Sequence, residues 1–116
     1  MTRVLVIDDE VAVAELVRVV LEEANFRVSV ATDTASIPSE RFDCVVADLI
    51  GLKLYSFNAA SDFLLRLRDR LPGSPVIVLT AHAEASADAQ RLGVRVITKP
   101  FDLDDLVAAV RDATAR

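Results

Sequence analysis

Four short apolar runs, rich in β-branched residues, alternate with longer helix-like stretches along this chain. The runs are Val4-Leu5-Val6-Ile7, Cys44-Val45-Val46-Ala47, Val76-Ile77-Val78-Leu79 and Val94-Arg95-Val96-Ile97-Thr98. A run of this length with little polar alternation is typical of a strand that is buried on both faces. Alternation of such strands with helices predicts an α/β domain in which helices sandwich a parallel sheet.

Each run leads to a residue that can bind phosphate or a divalent cation. Asp8 and Asp9 follow the first run, Asp48 the second, Thr80 the third and Lys99 the fourth. In a parallel sheet the carboxyl ends of the strands lie along one edge, where α/β folds bind their ligands. We therefore expect these five residues to be neighbours in the folded protein.

Apolar periodicity and chain breakers predict the other elements. Pro38 leaves room for little more than one helical turn after the second strand, and Gly93 is a natural end for a later helix. The predicted elements are a helix over 10–24, a strand over 26–30, one turn within 34–40, helices over 59–71 and 83–92, and a last helix that begins at Asp102. We expect residues 1–116 to form one domain.

Composition limits the partners of this chain. Thirteen basic and eighteen acidic side chains give a net charge of -5, which argues against binding of a nucleic-acid backbone by this chain alone. The apolar run near Met1 is too short for a signal peptide or a membrane span, so we expect a cytoplasmic protein without a membrane partner. The single cysteine, Cys44, is interpreted as a core residue.

Three carboxylates at one edge of a sheet require a cation. Asp8, Asp9 and Asp48 would raise one another's pKa unless their charge were neutralised. Mg²⁺ suits this corner because it favours oxygen ligands and is typically held by one or two carboxylates together with phosphate oxygens. Aspartate can also accept a phosphoryl group, for which Lys99 would supply positive charge and Thr80 a hydroxyl.

Taken together, these motifs resemble the receiver domain of two-component response regulators. The resemblance covers essentially the whole chain, and the residues that carry it are Val4-Leu5-Val6-Ile7-Asp8-Asp9-Glu10, Asp48-Leu49, Leu79-Thr80-Ala81 and Lys99-Pro100-Phe101. It implies a doubly wound, five-stranded parallel sheet in the order 2-1-3-4-5, within a flavodoxin-like three-layer sandwich.

The resemblance also implies the chemistry of the acidic corner. Asp48 would accept a phosphoryl group from the phosphohistidine of a sensor histidine kinase or a phosphotransfer protein. Asp9 would be a direct Mg²⁺ ligand, and Asp8 would assist directly or through water. Asp48 itself and the main-chain carbonyl of Ile50 would complete the protein's ligands.

Around that corner the resemblance implies a switch. Thr80 would be the switch hydroxyl and Lys99 the phosphoryl-binding cation, and the Lys99–Pro100 bond is a candidate for the cis form. His82 stands where the family places a side chain at the mouth of the site that tunes dephosphorylation. A plain solvated histidine is the alternative interpretation of His82.

The chain departs from the family at several positions. Val96 occupies a position that is usually Tyr or Phe and belongs to the switch, and the region of the fourth helix is about three residues short. Leu52 stands in place of a usual proline, in an extended apolar loop over 49–57 that is either local core or a partner surface. These departures indicate an atypical receiver.

Three functions remain in competition. We favour a stand-alone receiver that is phosphorylated on Asp48, catalyses only its own phosphorylation and dephosphorylation, and signals or relays to an unidentified protein. The alternative is a pseudo-receiver that binds proteins without phosphorylation. A third is a small phosphohydrolase of the haloacid dehalogenase type, built on Asp8-Asp9-Glu10. Homodimerisation is open in each case.

Overall fold

The structure, a computed structural model, describes residues 1–49 and 52–115. Within these residues five strands pair in parallel: β1 (Arg3–Ile7), β2 (Arg27–Ala31), β3 (Cys44–Ala47), β4 (Val76–Thr80) and β5 (Arg95–Thr98). Their order in the sheet is β2-β1-β3-β4-β5. The expected order 2-1-3-4-5 is therefore confirmed.

Helices cover both faces of this sheet. In the described part of the chain they are α1 (Val11–Glu23), α2 (Phe57–Arg70), α3 (Ala89–Leu92) and α4 (Leu103–Thr114), with 3-10 turns at Thr34–Ser36 and Ala83–Ser86. None of these helices is both long and apolar enough to cross a membrane.

The helices create two hydrophobic cores, one on each face of the sheet. Along β1, Val4 and Val6 lie in the core that includes α1 and α4, whereas Leu5 and Ile7 lie in the core that includes α2. Side chains alternate between the two faces of a strand, so a strand with helices on both sides must be apolar at successive positions. This explains the unbroken apolar runs and confirms the three-layer sandwich.

Backbone hydrogen bonds carry the predicted site residues to one edge of the sheet. The amide of Asp48 donates to the carbonyl of Ile7 at the end of β1, at 2.9 Å. The amide of Lys99 donates to the carbonyl of Thr80 at the end of β4, at 2.8 Å. Asp48 therefore lies beside the end of β1, and Lys99 lies beside the end of β4. Asp8 follows directly after Ile7, at the same edge of the sheet.

The limits of two helices are set by side chains that cap them. Helix α4 begins at Leu103, one residue after the predicted start, and Asp102 is its N-cap, accepting a hydrogen bond from the amide of Asp104 at 2.9 Å. Helix α2 begins at Phe57 rather than at residue 59, because Ser56 Oγ accepts from the amide of Ala59 at 3.1 Å.

A continuous helix over 83–92 was predicted, and that prediction is wrong. The stretch divides into the 3-10 turn Ala83–Ser86 and the single turn of α3. Only Ala85 and Leu92 in it are buried, so a longer helix would have little apolar surface to pack against the sheet. Gly93, at φ 72°, ends α3 in the left-handed conformation that a C-cap glycine adopts.

Smaller differences concern the strand limits. Strands β2 and β5 each begin one residue later than predicted, at Arg27 and Arg95. The Lys99–Pro100 peptide bond is cis, as the family resemblance implied.

The environment of Cys44 leads to a chemical prediction. The residue is fully buried in β3, and burial raises the pKa of its thiol to about 12. Because the thiolate is the reactive form, we expect native protein at pH 8 to resist a thiol reagent such as dithionitrobenzoate, and guanidinium-unfolded protein to react at once. Release of the chromophore measures the reaction, and rapid modification of the native protein would contradict the assignment of Cys44 to the core.

Candidate functional site

Three carboxylates meet at the carboxyl edge of the sheet. Oxygen atoms from Asp8, Asp9 and Asp48 all lie within 4.8 Å of one another. Asp8 is buried, Asp48 is half-buried and Asp9 is exposed. Oxygen ligands gathered at a site that stays open on one side fit a hard divalent cation that keeps part of its water. The predicted grouping of these three residues is confirmed.

Backbone amides orient two of these carboxylates. Asp8 Oδ1 accepts from the amide of Glu10 at 2.9 Å, and Asp48 Oδ1 accepts from the amide of Leu49 at 2.8 Å. Both bonds are local, so they follow from the turn that each chain segment makes as it leaves its strand. The second oxygen of each carboxylate is left to interact with other groups.

Lys99 interacts with those second oxygens. Its Nζ lies 3.4 Å from Asp8 Oδ2 and 3.3 Å from Asp48 Oδ2. The Lys99 side chain is only 17% exposed, so this ammonium group is screened weakly by water. The ammonium group of Lys99 thus neutralises part of the negative charge of the Asp8 and Asp48 carboxylates, which follow β1 and β3.

Burial and charge compete in the titration of this cluster. Burial raises the pKa of Asp8 above its ordinary value, although the amide of Glu10 and the charge of Lys99 both lower it. Burial alone would lower the pKa of Lys99, but attraction to Asp48 and Asp8 outweighs it and raises this pKa. At neutral pH Lys99 is therefore a stable cation. Keeping Asp8 ionised costs free energy in the folded protein, and a bound divalent cation would reduce that cost.

Thr80 ends β4 with no exposed surface. Its Oγ1 accepts a hydrogen bond from the amide of His82 at 3.1 Å. A hydroxyl that accepts one bond can still donate its own hydrogen. Thr80 lies where the sequence predicted it, at the same edge of the sheet as the carboxylates.

His82 belongs to the cleft above this edge. Its Nε2 lies 2.8 Å from the carbonyl oxygen of Leu52, and His82 lines a cleft of about 360 Å³ together with Asp48, Lys53 and Lys99. His82 is thus half-buried and one of its ring nitrogens has a hydrogen-bond partner. A role in dephosphorylation stays a prediction.

The apolar loop that follows β3 is divided between the core and the surface. Leu52, Tyr55 and Phe57 pack against the core on the α2 side of the sheet, whereas Leu54 is 87% exposed. The core interpretation therefore holds for Leu52, Tyr55 and Phe57, whereas a partner surface at Leu54 stays a prediction. Ile50, predicted to offer its carbonyl to Mg²⁺, lies outside the described residues.

Two contacts of this loop were missed by the sequence analysis. They are the bond between His82 and the Leu52 carbonyl, and a hydrogen bond of 2.6 Å from the Tyr55 hydroxyl to Asp88. One signal was available, since a tyrosine within apolar sequence needs a partner for its hydroxyl. Nothing in the sequence pattern identified Asp88, 33 residues away, as that partner.

Curated relatives of the chain are transcriptional regulators. It is 36% identical over 123 residues to the transcriptional regulatory protein KdpE of Mycobacterium tuberculosis, covering 100% of this chain and 52% of that protein. It is 32% identical over 118 residues to the DNA-binding dual master transcriptional regulator RpaA of Synechocystis, covering 96% of this chain and 48% of that protein. The chain thus spans about half the length of the curated relatives that it matches.

The similarity to solved structures and the family match both agree with the fold and the acidic site described above. The receiver domain of the Francisella response regulator 1452 superposes with a TM-score of 0.77 at 26% identity, over 98% of this chain and 97% of that chain. Residues 4–111 match the family described as the response regulator receiver domain. The chain therefore belongs to the response regulator receiver domain family.

Proposed function

We propose that Asp48 accepts a phosphoryl group from the phosphohistidine of a sensor histidine kinase or a phosphotransfer protein, in a reaction that requires Mg²⁺. Phosphoryl acceptance and Mg²⁺ binding are general features of receiver domains. One observation carries the assignment to this residue. Asp48 lines the cleft, its Oδ2 lies 3.3 Å from Lys99 Nζ, and its carboxylate lies within 4.8 Å of those of Asp8 and Asp9.

The transfer forms one bond and breaks one. A carboxylate oxygen of Asp48 bonds to phosphorus while the P–N bond of the phosphohistidine breaks. The electron pair of that bond stays on the imidazole nitrogen, and because the other ring nitrogen of the phosphohistidine carries a proton, the donor leaves as a neutral imidazole. Such transfers depend mainly on positioning and on neutralisation of the charge of the phosphoryl oxygens.

The residues of the corner divide this work. Asp8, Asp9 and Asp48 would hold Mg²⁺, which supplies neutralising charge to the phosphoryl oxygens when it is bound. Lys99, paired with Asp48 and Asp8 at rest, would exchange a carboxylate oxygen for a phosphoryl oxygen as its partner. Thr80 would donate its hydroxyl to another phosphoryl oxygen as the switch residue.

The proposal extends to output and to location. The phosphorylated domain would signal or relay by contacts with a downstream protein, in a cytoplasmic setting where it meets its phosphohistidine donor. The site would turn over only its own phosphoryl group. A net charge of -5 favours a protein rather than a nucleic acid as the direct partner of this domain, although RpaA is named as DNA-binding.

Two observations favour a second candidate, a protein-binding pseudo-receiver that acts without phosphorylation. Val96 replaces the aromatic residue of the switch, and α3 is a single turn. The family assignment gives no support to the phosphohydrolase alternative. Phosphorylation of Asp48 distinguishes the two candidates, because a pseudo-receiver would act without it.

The first test uses a small phosphodonor. Wild-type protein incubated with acetyl phosphate and Mg²⁺ should gain the mass of one phosphoryl group, and Asp48→Asn should gain none, because an amide is not a nucleophile toward phosphorus. The matched control is Asp62→Asn, which removes an exposed carboxylate from α2 and should behave like the wild type. A modified Asp48→Asn protein would exclude this residue as the acceptor. A wild-type protein that stays unmodified would support the pseudo-receiver.

The second test measures the cost of holding Asp8 ionised. Asp8→Asn keeps an oxygen that can accept from the Glu10 amide and removes the buried charge, so without Mg²⁺ at pH 7 its thermal midpoint should lie above that of the wild type. The pKa of Asp8 is raised in the folded state, so folding takes up protons at this group. The wild type should therefore gain stability from Asp8 as pH falls through the folded pKa of that group, and Asp8→Asn should lack this gain.

Mg²⁺ should stabilise the wild type more than it stabilises Asp8→Asn. At about ten times the dissociation constant, binding stabilises the wild type by about 1.4 kcal/mol, and the gain should be much smaller in Asp8→Asn. Thermal unfolding with and without Mg²⁺ measures both effects. An equal Mg²⁺ response in the two proteins would contradict the placement of Asp8 in the metal site.

A further inference from the structure

The 52–56 loop, Leu52-Lys53-Leu54-Tyr55-Ser56, forms part of the cleft that Asp48, His82 and Lys99 also line, which we call the phosphoryl cleft. The loop lacks the residues that usually make a turn rigid. It contains neither proline nor glycine, the residues that most often define the shape of a tight turn. Leu52 and Lys53 nevertheless line the cleft beside Asp48. Local hydrogen bonds hold its two ends, from the Leu52 amide to the Leu49 carbonyl at 3.4 Å and from the Ala59 amide to Ser56 Oγ at 3.1 Å, and long-range contacts are added to them.

The first of these contacts is made by Tyr55. Its hydroxyl donates a hydrogen bond of 2.6 Å to Asp88 Oδ2, directly before α3. Burial, reinforced by Asp88, raises the pKa of Tyr55 to about 12, so the hydroxyl remains a donor across the physiological range. A hydrogen bond to an ionised carboxylate is among the stronger ones in proteins.

Neighbouring side chains support the same contact. Arg91 Nη1 pairs with Asp88 Oδ1 at 3.3 Å, and its guanidinium lies 3.9 Å from the centroid of the Phe57 ring. Phe57 is the first residue of α2, directly after the loop. Asp88 and Arg91 thus hold both Tyr55 and the start of α2.

The second long-range contact leads back to the site. His82 bonds to the carbonyl of Leu52, its ring lies 6.3 Å from the Tyr55 ring, and its amide donates to Thr80 Oγ1. The loop is therefore fastened at Leu52 and at Tyr55 to the segment between β4 and β5. A continuous set of contacts joins Thr80, His82, Tyr55 and Asp88.

We propose that Tyr55 is a positioning residue of the phosphoryl site, whose hydrogen bond to Asp88 fixes the 52–56 loop beside Asp48. This inference rests on the proposed function of Asp48. Without the Tyr55 hydroxyl, the loop is free to move away from Asp48. A ligand at Asp48 must then order the loop as it binds, and the free energy of this ordering weakens ligand binding. By thermodynamic linkage, a ligand at Asp48 also strengthens the contact between Tyr55 and Asp88.

The test measures the affinity of the protein for beryllofluoride with Mg²⁺, by titration calorimetry. Tyr55→Phe and Asp88→Ala should each weaken binding about three- to tenfold, the range expected for one hydrogen bond. Asp88→Asn keeps an oxygen acceptor for the tyrosine and should bind more tightly than Asp88→Ala. The matched control is Glu84→Gln, which removes the same charge from the same segment and should bind like the wild type.

Intrinsic fluorescence provides a second measurement, because the chain has a single tyrosine and no tryptophan. The intrinsic fluorescence of the wild type comes from Tyr55 and should change when beryllofluoride and Mg²⁺ are added. The double variant Tyr55→Phe/Asp88→Ala should lose no more affinity than the weaker-binding single variant, because both remove the same bond.

These measurements separate the two proposals. If Tyr55→Phe binds the probe with wild-type affinity, or if Asp88→Ala binds like the wild type, the positioning role is overturned while the proposed function stands. If the wild type does not bind the probe, the proposed function fails and the role of Tyr55 fails with it. Should Tyr55→Phe not fold, the comparison of Asp88→Ala with Asp88→Asn decides the matter alone.

Discussion

The ammonium group of Lys99 lies between two carboxylates that follow different strands of the sheet. Asp8 is 91 positions from Lys99 in sequence and Asp48 is 51, yet both carboxylates lie within 3.4 Å of its Nζ. Removing charged groups from water is costly, and a buried ion pair often adds little to stability. The raised pKa of Asp8 is a sign of that cost. The arrangement is therefore better explained by the need for charge at the proposed phosphoryl site than by folding stability.

Much of this arrangement could be predicted from the sequence, for a physical reason. The three central strands β1, β3 and β4 are buried on both faces, so their positions are apolar in succession and the end of each is marked by the next polar residue. Parallel pairing then places Asp8, Asp48, Thr80 and Lys99 along one edge. Only the sheet is needed for this inference, and it does not depend on any loop conformation.

Other features depend on tertiary contacts without a periodic signature. The break between Ala83–Ser86 and α3 reflects how little of that segment reaches the core, where only Ala85 and Leu92 are buried. The early start of α2 depends on a single serine hydroxyl. The bond from Tyr55 to Asp88 joins two segments 33 residues apart, and many other acceptors along the chain were equally compatible with the sequence.

The predicted departures from the family all lie beside the core on the α2 side of the sheet. Val96 packs against the core on the α2 side, filling space without supplying a ring or a hydroxyl at the switch. Polar contacts from Thr80 run instead through the His82 amide, and those of the His82 ring run to the loop after β3. The loop and the segment around α3 thus support each other, which joins the cleft beside Asp48 to that segment.

The central claim, that Asp48 and its neighbours form a working phosphoryl site, is tested most directly by amide NMR during titration with Mg²⁺ and then beryllofluoride. We expect Mg²⁺ to shift the amide resonances of Asp9 and Asp48, and beryllofluoride then to shift those of Thr80 and Lys99. Spectra that respond to neither addition at these residues would contradict it.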